Sequence, residues 1–213
     1  MGQYYKAVIL AEDKKTPKTF VKSWDFENGA KLTEHSYIGN VMLGVVESLI
    51  QDNPSSLVWA GDYADIDNGA DENIYCLCET NGERVTPYSL NKKSHLKKQK
   101  LFMRYAKLSN KKNRYIINAT KKEFVDKSKC PYYMWQEYKY ALHPLALLTA
   151  EGNGRGGGDY EGTNMELIGS WSRDMISVSN TKPTDDYVEI IPNFVEDYYE
   201  EDVIYPIVEL VNA

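Results

Sequence analysis

Five of the chain's fourteen glycines fall within seven residues, Gly152-Asn153-Gly154-Arg155-Gly156-Gly157-Gly158, and Asp159 and Tyr160 follow. Glycine loses more conformational freedom on folding than any other residue, so such a cluster implies a linker, positive φ angles, or backbone that must approach something closely. Successive N–H groups in a glycine turn form an anion-binding nest, and Arg155 adds a fork of donors suited to phosphate or carboxylate. The chemistry on offer is the binding of an anionic, nucleotide-like small molecule by Gly154, Arg155, Gly156, Gly157, Gly158 and Asp159. The segment also fits G-x-G-x-x-G at Gly152, Gly154 and Gly157. That fingerprint needs a helix after it, however, and Asp159-Tyr160-Glu161-Gly162-Thr163-Asn164 is loop chemistry. The competing reading is an ordered loop with Arg155 and Asp159 paired to each other.

Carboxylates recur elsewhere at chemically useful spacing. Trp59-Ala60-Gly61-Asp62-Tyr63-Ala64-Asp65 ends a short apolar run with two acids three residues apart, and paired carboxylates do acid–base work or hold sugar hydroxyls. Trp171-Ser172-Arg173-Asp174 repeats the W-x-x-D spacing. Two similar strand ends would put each Trp behind a cleft and each Asp in it. Arg173 or Lys6 would then assist Arg155 with the anion, and Trp59 and Asp174 would join the ligand site. Glu34-His35 adds a proton shuttle of near-neutral pKa beside a carboxylate, although strand neighbours point to opposite faces. The catalytic candidates are therefore Asp62, Asp65, Glu34 and His35, and phosphoester or glycosidic hydrolysis is the reaction they would suit. Asp65-Ile66-Asp67-Asn68-Gly69-Ala70-Asp71 resembles a calcium loop, but its glycine is one position early and Cys76 stands at the twelfth. No metal site is expected, and no cofactor is specified by the sequence.

The elements that must position these residues follow from periodicity. Tyr4 to Leu10 and Thr19 to Trp24 read as strands around a turn at Asp13 to Pro17. Asn40 is a good N-cap for a helix carrying Met42, Val45, Val46, Leu49 and Ile50, which Asp52-Asn53-Pro54 stops. Leu57 to Ala60 and Ile74 to Glu79 read as strands, the latter with Cys76 and Cys78 on one face. Residues 115–118 and 123–126 form a hairpin. Further strands are expected at 167–168, 174–178, 187–191 and 203–211. The fold class is α+β, a mostly antiparallel sheet with one clear helix at about 40–51 and few others.

The totals bound the function. A chain of 213 residues, 42% hydrophobic and 26% charged, suits one soluble domain. Nothing in it reads as a membrane span or a signal peptide, and three cysteines argue for reduced thiols, so a cytoplasmic protein is expected. Net charge is −6, yet residues 92–122 carry twelve Lys or Arg and no acid, and nine acids with no base follow Lys182. Such blocks pair with each other or bind partners. Two alternatives to ligand binding therefore stand. One is a protein-binding or inhibitory module using the tyrosine-rich surface and acidic tail; the other is nucleic-acid binding through 92–122.

Taken together, Gly2-Gln3-Tyr4-Tyr5-Lys6, Lys31 to Asn40, Trp59 to Asp65, Asn118 to Asp126, and His143-Pro144-Leu145 through Glu151 to Tyr160 resemble an uncharacterised family of bacteria and their phages. Its members begin Gly-Gln-Tyr-Tyr/Trp-Lys. The resemblance runs from Gly2 to about Val178 and supplies no mechanism. It implies that these segments belong together in one fold, with 92–122 and 183–213 as variable parts outside the shared motifs; with no linker dividing the chain, one globular domain over 1–213 is expected.

Overall fold

A computed structural model describes residues 3–51, 53–91, 97–109, 113–135, 138–152, 160–197 and 203–206. Among them a nine-stranded sheet is built from β1 (Tyr5–Leu10), β2 (Pro17–Lys22), β3 (Ser55–Gly61), β4 (Glu83–Val85), β5 (Tyr115–Asn118), β6 (Glu123–Asp126), β9 (Ala150–Glu151), β10 (Met175–Ser179) and β11 (Val188–Glu189). Its order is β11-β6-β5-β10-β3-β1-β2-β4, with β9 also on β3. Two further strands, β7 (Tyr133–Trp135) and β8 (Tyr138–Tyr140), pair with each other. The helices are α1 (Leu32–His35), α2 (Val41–Ile50), α3 (Ile74–Asn81), α4 (Pro87–Asn91), α5 (Lys98–Lys107) and α6 (Pro144–Leu148).

The α+β class holds, with two corrections. The sheet is mixed rather than mostly antiparallel: β4 on β2, β9 on β3 and β11 on β6 are parallel joints. All three involve strands of two or three residues, added where the chain returns from elsewhere, so they leave little alternation in the sequence. There are also six helices among the described residues, more than the one clear helix and few others expected.

Strand alternation sorts the core into two faces. Tyr5, Ala7, Val21, Leu57 and Trp59 pack on the α2 side, while Val8, Leu10, Phe20, Val58 and Ala60 pack on the other, against Ile74 and Cys78 of α3. Covered on both faces, β3 reads as an unbroken apolar run. Ile74 to Glu79 is helix, not strand. Asn73 caps it by accepting the Cys76 N–H at 3.1 Å, and Ile74 and Cys78 share a face at helical i, i+4 spacing while Cys76 is exposed. The predicted hairpin, β1, β3 and the Asn40 cap are present; Asn40 Oδ1 accepts from Met42 N–H at 2.7 Å. Of 203–211, only 203–206 lie among the described residues, where Ile204 bridges to Tyr132.

Helix α5 lies close on α2 because Gly44 has no side chain. A Cβ there would stand 1.8 Å from the Tyr105 carbonyl oxygen. Gly44→Ala is expected to force the helices apart at a cost of about 2–3 kcal/mol. Urea unfolding would measure it, and an unchanged midpoint would mean the helices do not meet this closely.

Candidate functional site

Strands β9 and β10 start back to back on one edge of β3 and run in opposite directions. The Trp59 N–H donates to the Thr149 carbonyl at 2.8 Å on the β9 side. On the β10 side, Leu57 N–H donates to the Asp174 carbonyl at 3.2 Å, and Arg173 N–H to the Leu57 carbonyl at 2.8 Å. Alternate residues aim their backbone groups at the same strand edge, so the sheet forks between Leu57 and Trp59. A cleft of about 440 Å³ opens at this fork.

Its walls include Asp65, Asp67, Glu151, Gly152, Ser170 and Arg173. Arg173 organises them. Its backbone is left-handed at φ 61°, a conformation that costs a non-glycine residue on the order of 1 kcal/mol or more. Its guanidinium donates to both Glu151 carboxylate oxygens, the Nε bond measuring 2.8 Å, and through Nη1 to Asp67 Oδ2 at 2.7 Å. Ser172 Oγ also donates to Glu151 Oε2 at 2.7 Å. Burial pulls the Arg173 pKa down, but bonding to Glu151 and Asp67 outweighs that and holds it above the ordinary value. Asp65 is exposed and makes no hydrogen bond to a described residue. The buried Ser170 hydroxyl has no partner among the described residues. The described walls therefore carry three carboxylates against one guanidinium that is already engaged.

Of the residues expected at a ligand site, Gly154, Arg155, Gly156, Gly157, Gly158 and Asp159 lie outside the described residues. Gly152, where that segment begins, is in the cleft wall, and Arg173 and Asp65 are there too. The others are elsewhere. Trp59 is fully buried, and its indole N–H donates to His35 Nε2 at 2.8 Å. His35 is equally buried, with Nδ1 3.1 Å from the Gly29 carbonyl, so the bonding pattern assigns a neutral Nδ1–H ring that holds the core together. Glu34 is exposed and caps α1 by accepting the Lys31 N–H at 3.0 Å. Glu34 and His35 thus face apart and share no site. Asp62 accepts the Tyr4 N–H at 3.0 Å, and Asp174 accepts from Asn118 Nδ2 at 2.8 Å; neither lines the cleft.

Lys6 points to the opposite face of the sheet from Trp59. Its Nζ donates to the Tyr75 carbonyl at 2.8 Å and pairs with Glu79 at 2.7 Å, which ties β1 to α3. Sequence reasoning missed Glu151, Asp67 and Ser170 as walls of the site. Glu151 carried a usable signal, since it directly precedes the glycine segment. Asp67 was obscured because its partner lies over a hundred residues away.

The charge blocks are partly accounted for. Arg114 pairs with Asp126, Lys98 with Glu27, and Lys122 with Asp186 of the acidic tail. Lys97, Lys100, Arg104 and Lys107 are exposed along α5 and its cap, with no carboxylate partner among the described residues. Among the described residues, no helix is long and apolar enough to cross a membrane, and no group of three or more His, Cys, Asp or Glu side chains converges as a metal site. Comparison with known proteins returns no matching family model, no matching curated protein and no matching solved structure.

Proposed function

We propose that this chain binds a nucleotide-like small molecule at the fork of the sheet, hydroxyl groups against the carboxylate walls and the anionic part against the glycine segment. The observation that carries this reading is the position of Gly152: the segment richest in anion-binding backbone starts from the wall of a cleft whose described side chains are mainly hydrogen-bond acceptors. Acceptors alone would repel a bare phosphate, but they match the donors of a ribose-like ring. Arg155 and the glycine N–H groups supply the complementary half. Glu151 and Asp67 act by fixing Arg173, and Asp65 is the carboxylate left to meet the ligand. In a hydrolysis, Asp65 is also the residue we would assign to acid–base work. The setting we propose is the cytoplasm, and the family we propose is the bacterial and phage family that the sequence motifs resemble.

A thermal-shift screen against nucleotides and sugar phosphates tests the reading, because a ligand that prefers the folded state raises its apparent stability. Arg155→Ala and Asp65→Asn are each expected to weaken the best hit by about tenfold or more while leaving the unliganded melting temperature unchanged. No hit in either class would sink the proposal, as would variants that bind like the parent. An Arg155→Ala chain that melts early would support the ordered-loop reading instead.

A further inference from the structure

The fork cleft is acidic, but a second cavity of about 380 Å³ has the opposite character. Arg114, Lys127 and Lys139 line it from three separate segments, together with Ser128, Ile38 and Ala141. Among the described residues, no carboxylate lines it. The carboxylates paired with Arg114 and Lys127 are saturated. Asp126 accepts from Arg114 Nε at 2.9 Å and Nη2 at 2.6 Å, and from the Ser128 N–H and hydroxyl at 3.0 and 2.7 Å. Glu47 accepts from Lys127, His143 and Asn113.

Two cationic groups remain open. Asp126 takes Nε and Nη2 of Arg114, and Nη1 makes no hydrogen bond to a described residue. Lys139 has no carboxylate partner among the described residues, and its ammonium stands 3.6 Å from the centre of the Tyr132 ring. Lys127 is 7% exposed, and its Nζ is fixed by Glu47 and by the Ser109 carbonyl at 2.7 Å. Its charge is balanced by the Glu47 carboxylate, so the excess positive charge at the cavity rests on Lys139, with Arg114 Nη1 as a second donor.

We infer that this cavity is a binding site for a phosphate monoester. Arg114 Nη1 and the Lys139 ammonium donate to its oxygens, and its organic body packs on Ile38 and Ala141. A planar carboxylate needs only one guanidinium fork, whereas a guanidinium N–H and an ammonium on two separate segments suit a tetrahedral oxyanion with charge spread over several oxygens. The volume falls in the range of small-molecule sites and exceeds what an oxyanion alone would fill, which leaves room for the body. The site is separate from the fork cleft: the two share no lining residue.

The test uses the full chain with inorganic phosphate and phenyl phosphate as probes, followed by calorimetry and by amide shifts in an NMR titration. Phenyl phosphate is expected to bind at least about fivefold tighter than inorganic phosphate, since its ring adds apolar burial. The amides of Ser128, Lys139 and Ala141 should shift with it. Lys139→Ala should weaken binding about fivefold or more, and Lys139→Glu should abolish it, with melting temperatures unchanged because Lys139 is exposed. Three results would overturn the inference: no saturable binding of either probe, shifts confined to other residues, or a Lys139→Glu variant that binds like the parent.

Discussion

Glu47→Ala is expected to cost on the order of 3–5 kcal/mol, enough to leave a large share of a marginally stable chain unfolded at room temperature. Glu47 sits fully buried in α2, among Met42, Leu43, Val45, Val46 and Ile50. Its Oε1 takes the Lys127 ammonium at 2.5 Å and His143 Nε2 at 3.0 Å, and its Oε2 takes Asn113 Nδ2 at 3.2 Å. One carboxylate therefore joins α2 to the loop before β5, the residue after β6 and the N-cap of α6. Removing it leaves Lys127, a buried cation, with the Ser109 carbonyl as its one remaining partner among the described residues. The cost is that of an unpaired buried charge and exceeds the net worth of the pair. Glu47→Leu combined with Lys127→Met should therefore be markedly more stable than Glu47→Ala, because it removes both charges and fills the space. Urea unfolding of the parent, the single variant and the double variant gives the comparison. A loss below about 1 kcal/mol in the single variant, or a double variant no better than it, would show that Glu47 and Lys127 do not act as a unit.

Glu47 also illustrates what was legible in the sequence. The helix around it could be read because Asn40 marks its start and the apolar residues keep a 3.6 period, with one acid inside that pattern. That the acid was buried could not be read, since its partners Asn113, Lys127 and His143 lie 66 to 96 residues away. The same distinction explains the site. Strand β3 and the W-x-x-D segments were visible as local patterns, but the fork depends on β9, a two-residue strand that no periodicity announces. Trp59 and His35 were both picked out as functional, and they do belong together. Their bond is a core hydrogen bond, because alternation along β3 sends Trp59 to the α2 face. The Cys76-Leu77-Cys78 pattern misled because a short apolar alternation fits either period. A cap at Asn73 and burial at i, i+4 decide for helix, and only the tertiary contact of Ile74 and Cys78 with Val8, Phe20 and Val58 reveals that burial.

The two core histidines predict a steep acid sensitivity above the range where carboxylates titrate. Burial pushes the His35 imidazole down to about 4, only partly offset by its bond to the Gly29 carbonyl. His143 is also lowered, by burial and by the Lys127 ammonium, against the raising effect of Glu47. Its Nδ1 accepts the Leu145 N–H at 3.2 Å while Nε2 faces Glu47, so the neutral ring satisfies both positions. In the unfolded chain both rings take up protons near pH 6.5, whereas the folded chain keeps His35 neutral down to about pH 4 and holds His143 neutral below its ordinary range. The unfolded state thus binds more protons between about pH 6.5 and 4, and stability falls as pH falls through that window. Each ring contributes up to about 1.4 kcal/mol per pH unit, and His35 alone accounts for about 3 kcal/mol across the window. Glu196 works the other way: burial raises its folded pKa, so it adds stability as pH falls toward the lower end. Urea unfolding at intervals between pH 7.5 and 4.5 should give a slope approaching one proton from His35 near pH 5.5, with His143 adding to it in the same direction. His35→Gln should be less stable at pH 7.5 yet lose close to one proton from that slope. A parent chain with flat stability from pH 7 to 5, or a His35→Gln variant with an undiminished slope, would mean that His35 is not held neutral in the core.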